Sequence, residues 1–212
     1  MRLLISDRKV PVRSAAAFQI RVLIVTLLLF LGGVFVHAGQ VSTNVPGVVD
    51  LEGRSATPFT DSIGAKLIVL VFTRTDCPVA NRYAPEIQRL QAAFAQRGVT
   101  FWLVYPDQTE SPSQIRQHLH DYGYVCGALR DPRHMLVKRA GVSVTPEAAI
   151  FRPDGVLLYP GRIDDSHADY GKTRPAPTRR ELADALVLAL DGKCIPPAQG
   201  LPVGCLIEAA QP

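Results

Sequence analysis

No Cys-x-x-Cys pair occurs in this 212-residue chain. Its four cysteines, Cys77, Cys126, Cys194 and Cys205, are far apart, and its five histidines, His37, His118, His120, His134 and His167, do not cluster near them. The spacing fits no zinc site, which needs paired ligands closing a tetrahedron. Long hydrophobic runs are scarce too. The longest near the N-terminus, Val22 to Val36, has fifteen residues, short of the ~20 that span a bilayer. Surplus positive charge is absent from most of the chain. The first 38 residues hold five bases against one acid, and the remainder carries 18 of each, so the basic balance belongs to the N-terminal segment. No basic face or arm survives to recruit nucleic acid or an anionic membrane surface.

What is present at the N-terminus is a basic stretch (Arg2, Arg8, Lys9, Arg13, Arg21), then the apolar run, then Val36-His37-Ala38 with small residues at the minus three and minus one positions of a signal-peptidase site. The expectation is an export signal over 1–38 cut after Ala38, with an uncleaved membrane anchor as the alternative. Either way the rest of the chain is exported, to the periplasm or the medium. About 174 residues remain, one ordinary domain with a sizeable core. All four cysteines lie in this part, where disulfides persist. The expected organisation is a domain over 39–192 and a cysteine-containing tail over 193–212.

Periodicity and punctuation predict an alternating order of elements. Val41 to Phe59 reads as a hairpin or irregular arm, Leu67 to Thr73 as a buried strand, Pro78 to Gln96 as a helix stopped by Gly98, and Val99 to Tyr105 as a strand. Ser111 caps a helix that opens with Pro112 and runs to Gly123; an extended piece follows at Val125 to Leu129, then a helical stretch Pro132 to Arg139 closed by Gly141. Ala148 to Arg152 and Val156 to Tyr159 are strands joined by the turn Pro153-Asp154-Gly155. A last helix, Thr178 to Leu190, is expected to open with a capping box of Thr178 and Glu181. This order describes an α/β fold with a mixed central sheet flanked by helices.

Cys77 stands between the first strand and the first long helix. There the helix dipole and unpaired N–H groups favour thiolate; Asp76 opposes this, while Arg74 or Arg82 would support it. The competing reading is a buried structural thiol.

The stretch Thr75-Asp76-Cys77-Pro78-Val79-Ala80, with Pro85 eight residues after the cysteine, resembles the active-site helix of the thioredoxin superfamily, kinked by a proline at that offset. Gly141 to Pro146, followed by a strand, an Asp154-Gly155 turn and another strand, is similar to that superfamily's cis-proline segment. With Asp76 to Glu86, Thr145-Pro146-Glu147, Gly161 to Asp165 and Gly204-Cys205, the chain resembles exported redoxin or peroxiredoxin-like (AhpC/TSA-like) proteins with one active-site cysteine. The resemblance implies a thioredoxin-like fold, a site of Cys77, Thr145, Pro146 and Cys205, a cis bond before Pro146, and thiols, disulfides or peroxide as partners. It implies no cofactor and no resident metal.

Departures from the relatives narrow the chemistry. Ala80 replaces the second cysteine of a Cys-x-x-Cys pair, so a resolving thiol must come from elsewhere. Arg74 occupies the place of the threonine that precedes a peroxidatic cysteine by three residues. Copper-delivering members need two cysteines in this loop. Cys205 is the favoured resolver, in a tail able to fold back; a plain Cys194 to Cys205 bridge is equally open. Cys126 and Trp102 read as core, and the acidic loop Asp164 to Thr178 as a solvated loop or a cation site. Three functions follow: a thiol-disulfide oxidoreductase or thiol-dependent antioxidant acting through Cys77, a binding module holding an extended peptide beside Pro146, or a metal-handling accessory protein.

Overall fold

The computed structural model describes residues 43, 45–169 and 171–210. The export signal, its cleavage after Ala38 and the alternative anchor lie outside the described residues. Among those described, no helix is long and apolar enough to cross a membrane.

A five-stranded mixed sheet organises the domain. Strand β1 (Leu67–Phe72) is central, pairing in parallel with β2 (Val99–Tyr105) and antiparallel with β5 (Glu147–Phe151). β3 (Gly127–Arg130) extends the sheet beyond β2, and β6 (Leu157–Gly161) beyond β5. The continuous run of β1 is explained by burial on both faces. Leu67, Val69 and Val71 join one core cluster; Ile68, Leu70 and Phe72 join the other.

Helices cover both faces. The stretch expected as one helix from Pro78 to Gln96 is two: α2 (Pro78–Arg82), after the short turn α1 (Pro58–Asp61), and α3 (Ala84–Ala95). The break falls at Tyr83 because Pro85 has no N–H to give the Asn81 carbonyl; the ladder resumes with Ile87 N–H donating to Tyr83 O at 2.9 Å. α4 (Pro112–Asp121) begins as expected at Ser111, which forms a full capping box with Gln114. α5 (Met135–Ala140) begins three residues after the expected Pro132 and ends at Gly141, whose φ of 68° accounts for the stop.

The last helix, α6 (Glu181–Leu190), corrects an expectation. Thr178 is not its cap; Arg180 holds that position without a side-chain bond. The buried Asp165 carboxylate recruits Thr178 instead, accepting from its hydroxyl, from its N–H at 2.6 Å and from Arg179 N–H at 2.9 Å. Glu181 pairs with Arg162, whose Nε lies 2.8 Å from Oε1. The acidic loop is therefore not solvated at its start, since Asp164 and Asp165 are both buried and hydrogen-bonded.

Within the described residues of the N-terminal arm, Val49 bridges to Ser55 and Arg130. Trp102 is half-buried, its indole N–H donating to Ser62 Oγ at 2.9 Å. Outside the large sheet lie two pairs of short strands: β4 (Val144–Thr145) with a strand of the tail, and β7 (His167–Asp169) with β8 (Lys172–Thr173). β4 pairs with the tail strand β9 (Cys205–Leu206).

Asp131 was not singled out by sequence, yet it organises α5. Fully buried, its carboxylate accepts from Met135, Leu136 and Val137 N–H at 2.8, 2.8 and 3.0 Å. Asp131→Ala strands three donors, and we expect it to lower unfolding free energy by about 2–4 kcal/mol in urea titrations. Asp121→Ala, at an exposed side chain, should change stability by less than ~0.5 kcal/mol.

Candidate functional site

β1 delivers the chain to the loop 73–76, and Cys77 becomes the N-cap of α2 with extended backbone (φ −81°, ψ 110°). Two contacts hold the loop. Thr75 N–H donates to the buried Glu110 carboxylate at 2.6 Å, and Thr75 O accepts from Asn81 Nδ2 at 3.0 Å. Asn81 is braced in turn: its Oδ1 lies 2.8 Å from His118 Nε2, and His118 Nδ1 lies 2.8 Å from Tyr105 OH. Only one tautomer satisfies both contacts fully, with Nε2–H donating to Asn81 and Nδ1 accepting from Tyr105. Burial pushes the His118 pKa down, in keeping with that neutral ring.

Cys77 is wholly buried, and three groups meet its sulfur. Ala80 N–H donates to Sγ at 3.4 Å; as a thiol, Cys77 donates to the Thr145 carbonyl at 3.1 Å; and the Cys205 thiol donates to Cys77 Sγ at 2.7 Å. The Thr145–Pro146 peptide is cis. Its loop is set by the buried Glu147, which accepts from Ser143 N–H at 2.9 Å and Val144 N–H at 3.4 Å. The structure thus brings Cys77, Thr145, Pro146 and Cys205 into one place.

The tail reaches that place as a strand. Thr145 pairs with Cys205 and Val144 with Leu206, while Ile207 N–H donates to Ser143 O at 2.9 Å. Gly204 makes this approach possible, because a Cβ there would stand 2.0 Å from the Thr145 carbonyl oxygen. Cys194 is exposed, its thiol turned to the Ile195 carbonyl at 3.9 Å, and of the two pairings left open by sequence, the sulfurs of Cys77 and Cys205 are the ones in contact. Cys126 is half-buried against the core, and burial pushes its thiol up to about 11, leaving it a poor nucleophile.

Hydrogen bonds outweigh neighbouring charges in tuning Cys77. Burial acts to raise its pKa, but the bonds from Cys205 and from Ala80 N–H overcome it, and the thiol sits below its ordinary value. Cys205 is pushed up, by its own burial and by donating to Cys77. Arg74, the expected helper, is occupied by carboxylates: its Nε is 3.2 Å from Asp76 and its Nη2 is 3.0 Å from Asp107.

Glu110, Asn81, His118 and Tyr105 were missed in the sequence, since their only signal is spatial. Among the described residues, no group of three or more potential metal ligands occurs.

The profile of the AhpC/TSA family matches residues 48–159. The chain belongs to the AhpC/TSA family. No curated protein matches it. Among solved structures it is similar to a hypothetical protein from Sinorhizobium meliloti, with a TM-score of 0.66 and 21% identity over 76% of this chain and 89% of that one. An uncharacterized conserved protein from Geobacillus kaustophilus gives a TM-score of 0.67 at 23% identity, over 80% of this chain and 90% of that one. The fold is that of a thioredoxin-like redoxin, and membership of this family assigns it to thiol redox chemistry in general.

Thiolate absorbance of the reduced protein at 240 nm should rise at a lower pH than for an ordinary thiol, and Cys205→Ala, which removes a donor to Cys77, should move that rise to higher pH. The sign agrees with linkage: a thiol with a lowered folded-state pKa adds stability that is complete above the unfolded value of ~8.5 and is lost as pH falls through the folded value. Gly204→Val should dislodge the tail, so that alkylation of Cys77 in the reduced protein accelerates at least about tenfold, or ~1.4 kcal/mol on the docking equilibrium.

Proposed function

We propose that this protein is an exported thiol-disulfide oxidoreductase in which Cys77 and Cys205 form a single dithiol-disulfide couple. The observation that carries this reading is the 2.7 Å approach of the two sulfurs through a paired strand. Export rests on the leader sequence at residues 1–38.

Cys77 thiolate attacks a substrate disulfide R–S–S–R′, forming Cys77–S–S–R and releasing R′S⁻. Cys205 then loses its proton and attacks the Cys77 sulfur, closing Cys77–S–S–Cys205 and releasing RSH. The substrate gains two electrons and the protein loses two. Thr145 and Pro146 shape the wall against which the sulfurs meet. The partners are protein or small-molecule thiols and disulfides. Because Cys77 is buried beneath the tail, its first step requires residues 204–207 to part from 143–145, while Cys205 is partly exposed and open to an incoming thiol in the reverse direction.

Peroxide as the oxidant is the second reading, supported by the same pair. Cys77 thiolate would take one oxygen from ROOH, yielding a sulfenic acid and RO⁻, which takes a proton from water to leave as ROH, and the Cys205 thiol would condense with the sulfenic acid, losing water. The binding-module reading is weakened by the tail itself, which already occupies the β4 edge that a peptide would pair with. Metal handling is disfavoured by distance: two thiolates on one zinc at ~2.3 Å each, in tetrahedral geometry, stand about 3.8 Å apart.

A non-reducing peptide map of oxidised protein should recover Cys77 linked to Cys205. Cys77→Ser should abolish disulfide exchange, whereas Cys205→Ser should slow turnover and accumulate a Cys77 mixed disulfide. Cys126→Ser and Cys194→Ser should retain activity. Equal turnover by wild type and Cys77→Ser would sink the proposal, and a Cys194 to Cys205 bridge would remove Cys205 as resolver. Stopped-flow oxidation by hydrogen peroxide compared with a small disulfide decides between the two oxidants.

A further inference from the structure

A second concave site lies at the far end of α2 from Cys77. Arg82 lies five residues beyond Cys77, about 7.5 Å along the helix at 1.5 Å per residue. Here a cavity of about 310 Å³ is bounded by the α2–α3 junction and by the loop that carries Asp164, Ser166 and His167.

His167 is the unusual group in it. Its side chain is buried, with 9% of the residue's surface exposed, and neither ring nitrogen has a hydrogen-bond partner among the described residues. The ring packs on Tyr83, centroids 5.1 Å apart. Burial, and then the nearby Arg82 charge, push its pKa down, which leaves a neutral imidazole at pH 7 with one N–H to donate. A buried polar group without a partner carries a cost that a ligand can relieve.

The other charges around the cavity are already committed. Glu86 accepts from Arg89 Nε at 2.7 Å and Nη2 at 2.6 Å, and from Arg180 Nη1 at 3.2 Å. Asp164 Oδ1 accepts from Tyr83 OH and Ser166 N–H, each at 2.8 Å. Among the described residues, Arg82 alone of the three lining arginines has no carboxylate partner. Three arginines against Glu86 and Asp164 leave one positive charge in excess.

We infer that this cavity binds the carboxylate of a small molecule, held by the Arg82 guanidinium and the His167 N–H. The planar fork of arginine matches a carboxylate in two parallel bonds. A single excess charge suits a monoanion, whereas a dianionic phosphate would be set against Glu86 and Asp164. The volume is at the small end for ligand sites, which limits the ligand to a few carbons beyond its acid group.

The test reads histidine ring signals by NMR in the whole labelled chain, with the His167 signal assigned by its loss in His167→Gln. Propionate should shift that signal saturably, and Arg82→Gln should weaken the dissociation constant about tenfold, the loss of one charge-assisted contact. Arg116→Gln, at a surface residue paired with Glu52, should bind as wild type does. Propylammonium should leave the signal unmoved. A non-saturating response to propionate, or equal affinity in wild type and Arg82→Gln, overturns the site. Equal or tighter binding of methylphosphonate overturns the carboxylate assignment. None of these readouts involves a thiol, so they stand or fall apart from the redox couple.

Discussion

The main-chain pairing of Cys205 with Thr145 is the interaction on which the proposed dithiol couple depends. It places the Cys205 thiol against that of Cys77 at the N-cap of α2 and, in that couple, supplies from the tail the second thiol that Ala80 does not. Thr145 is central to both sides of this contact, since its carbonyl meets Cys77 while its strand register meets Cys205. Glu147, gathering the N–H groups of Ser143 and Val144, keeps this short edge in position.

The loop that precedes Cys77 is an abutment built from side-chain hydrogen bonds. Thr75 is held through its N–H by Glu110 and through its carbonyl by Asn81, and the second contact is relayed through His118 to Tyr105 at the end of β2. A strand-to-helix turn is thus fixed by partners from three separate elements. A sulfur so held can be tuned by weak donors, because their geometry does not average away. The result is a division of labour: the abutment fixes position, and Ala80 N–H and Cys205 set proton affinity.

Much of this was legible in the residues themselves. The runs Leu67 to Phe72 and Val99 to Tyr105 are apolar enough to read as buried strands, and Ser111 with Pro112 announces its helix. Cys77, Pro146 and Cys205 stood out through their neighbours in sequence. What stayed hidden depends on contacts between distant positions. Thr178 and Glu181 have the spacing of a capping box, but Asp165 and Arg162 compete for them and win because Asp165 is buried and needs donors. Asp131 caps a helix from four to six residues away, outside the local patterns that mark helix starts. The choice between Cys194 and Cys77 as neighbour of Cys205 turned on a strand of two residues, too short for any periodicity.

In the proposed couple the tail contact also makes folding and electron transfer part of one equilibrium. The two thiols are 128 positions apart in the chain, a separation at which an unfolded polypeptide brings them together only rarely. In the chain-entropy picture a bond across a loop of that size lowers the unfolded state's freedom by the equivalent of about 4–5 kcal/mol. The folded domain has already met that closure cost through strand pairing. Anything that loosens residues 204–207 lowers the effective concentration of one thiol at the other and makes the couple more oxidising, while closing the bond tightens the tail in return. In that proposed couple residues 204–207 therefore act as a dial on electron affinity, turned by mechanical fit.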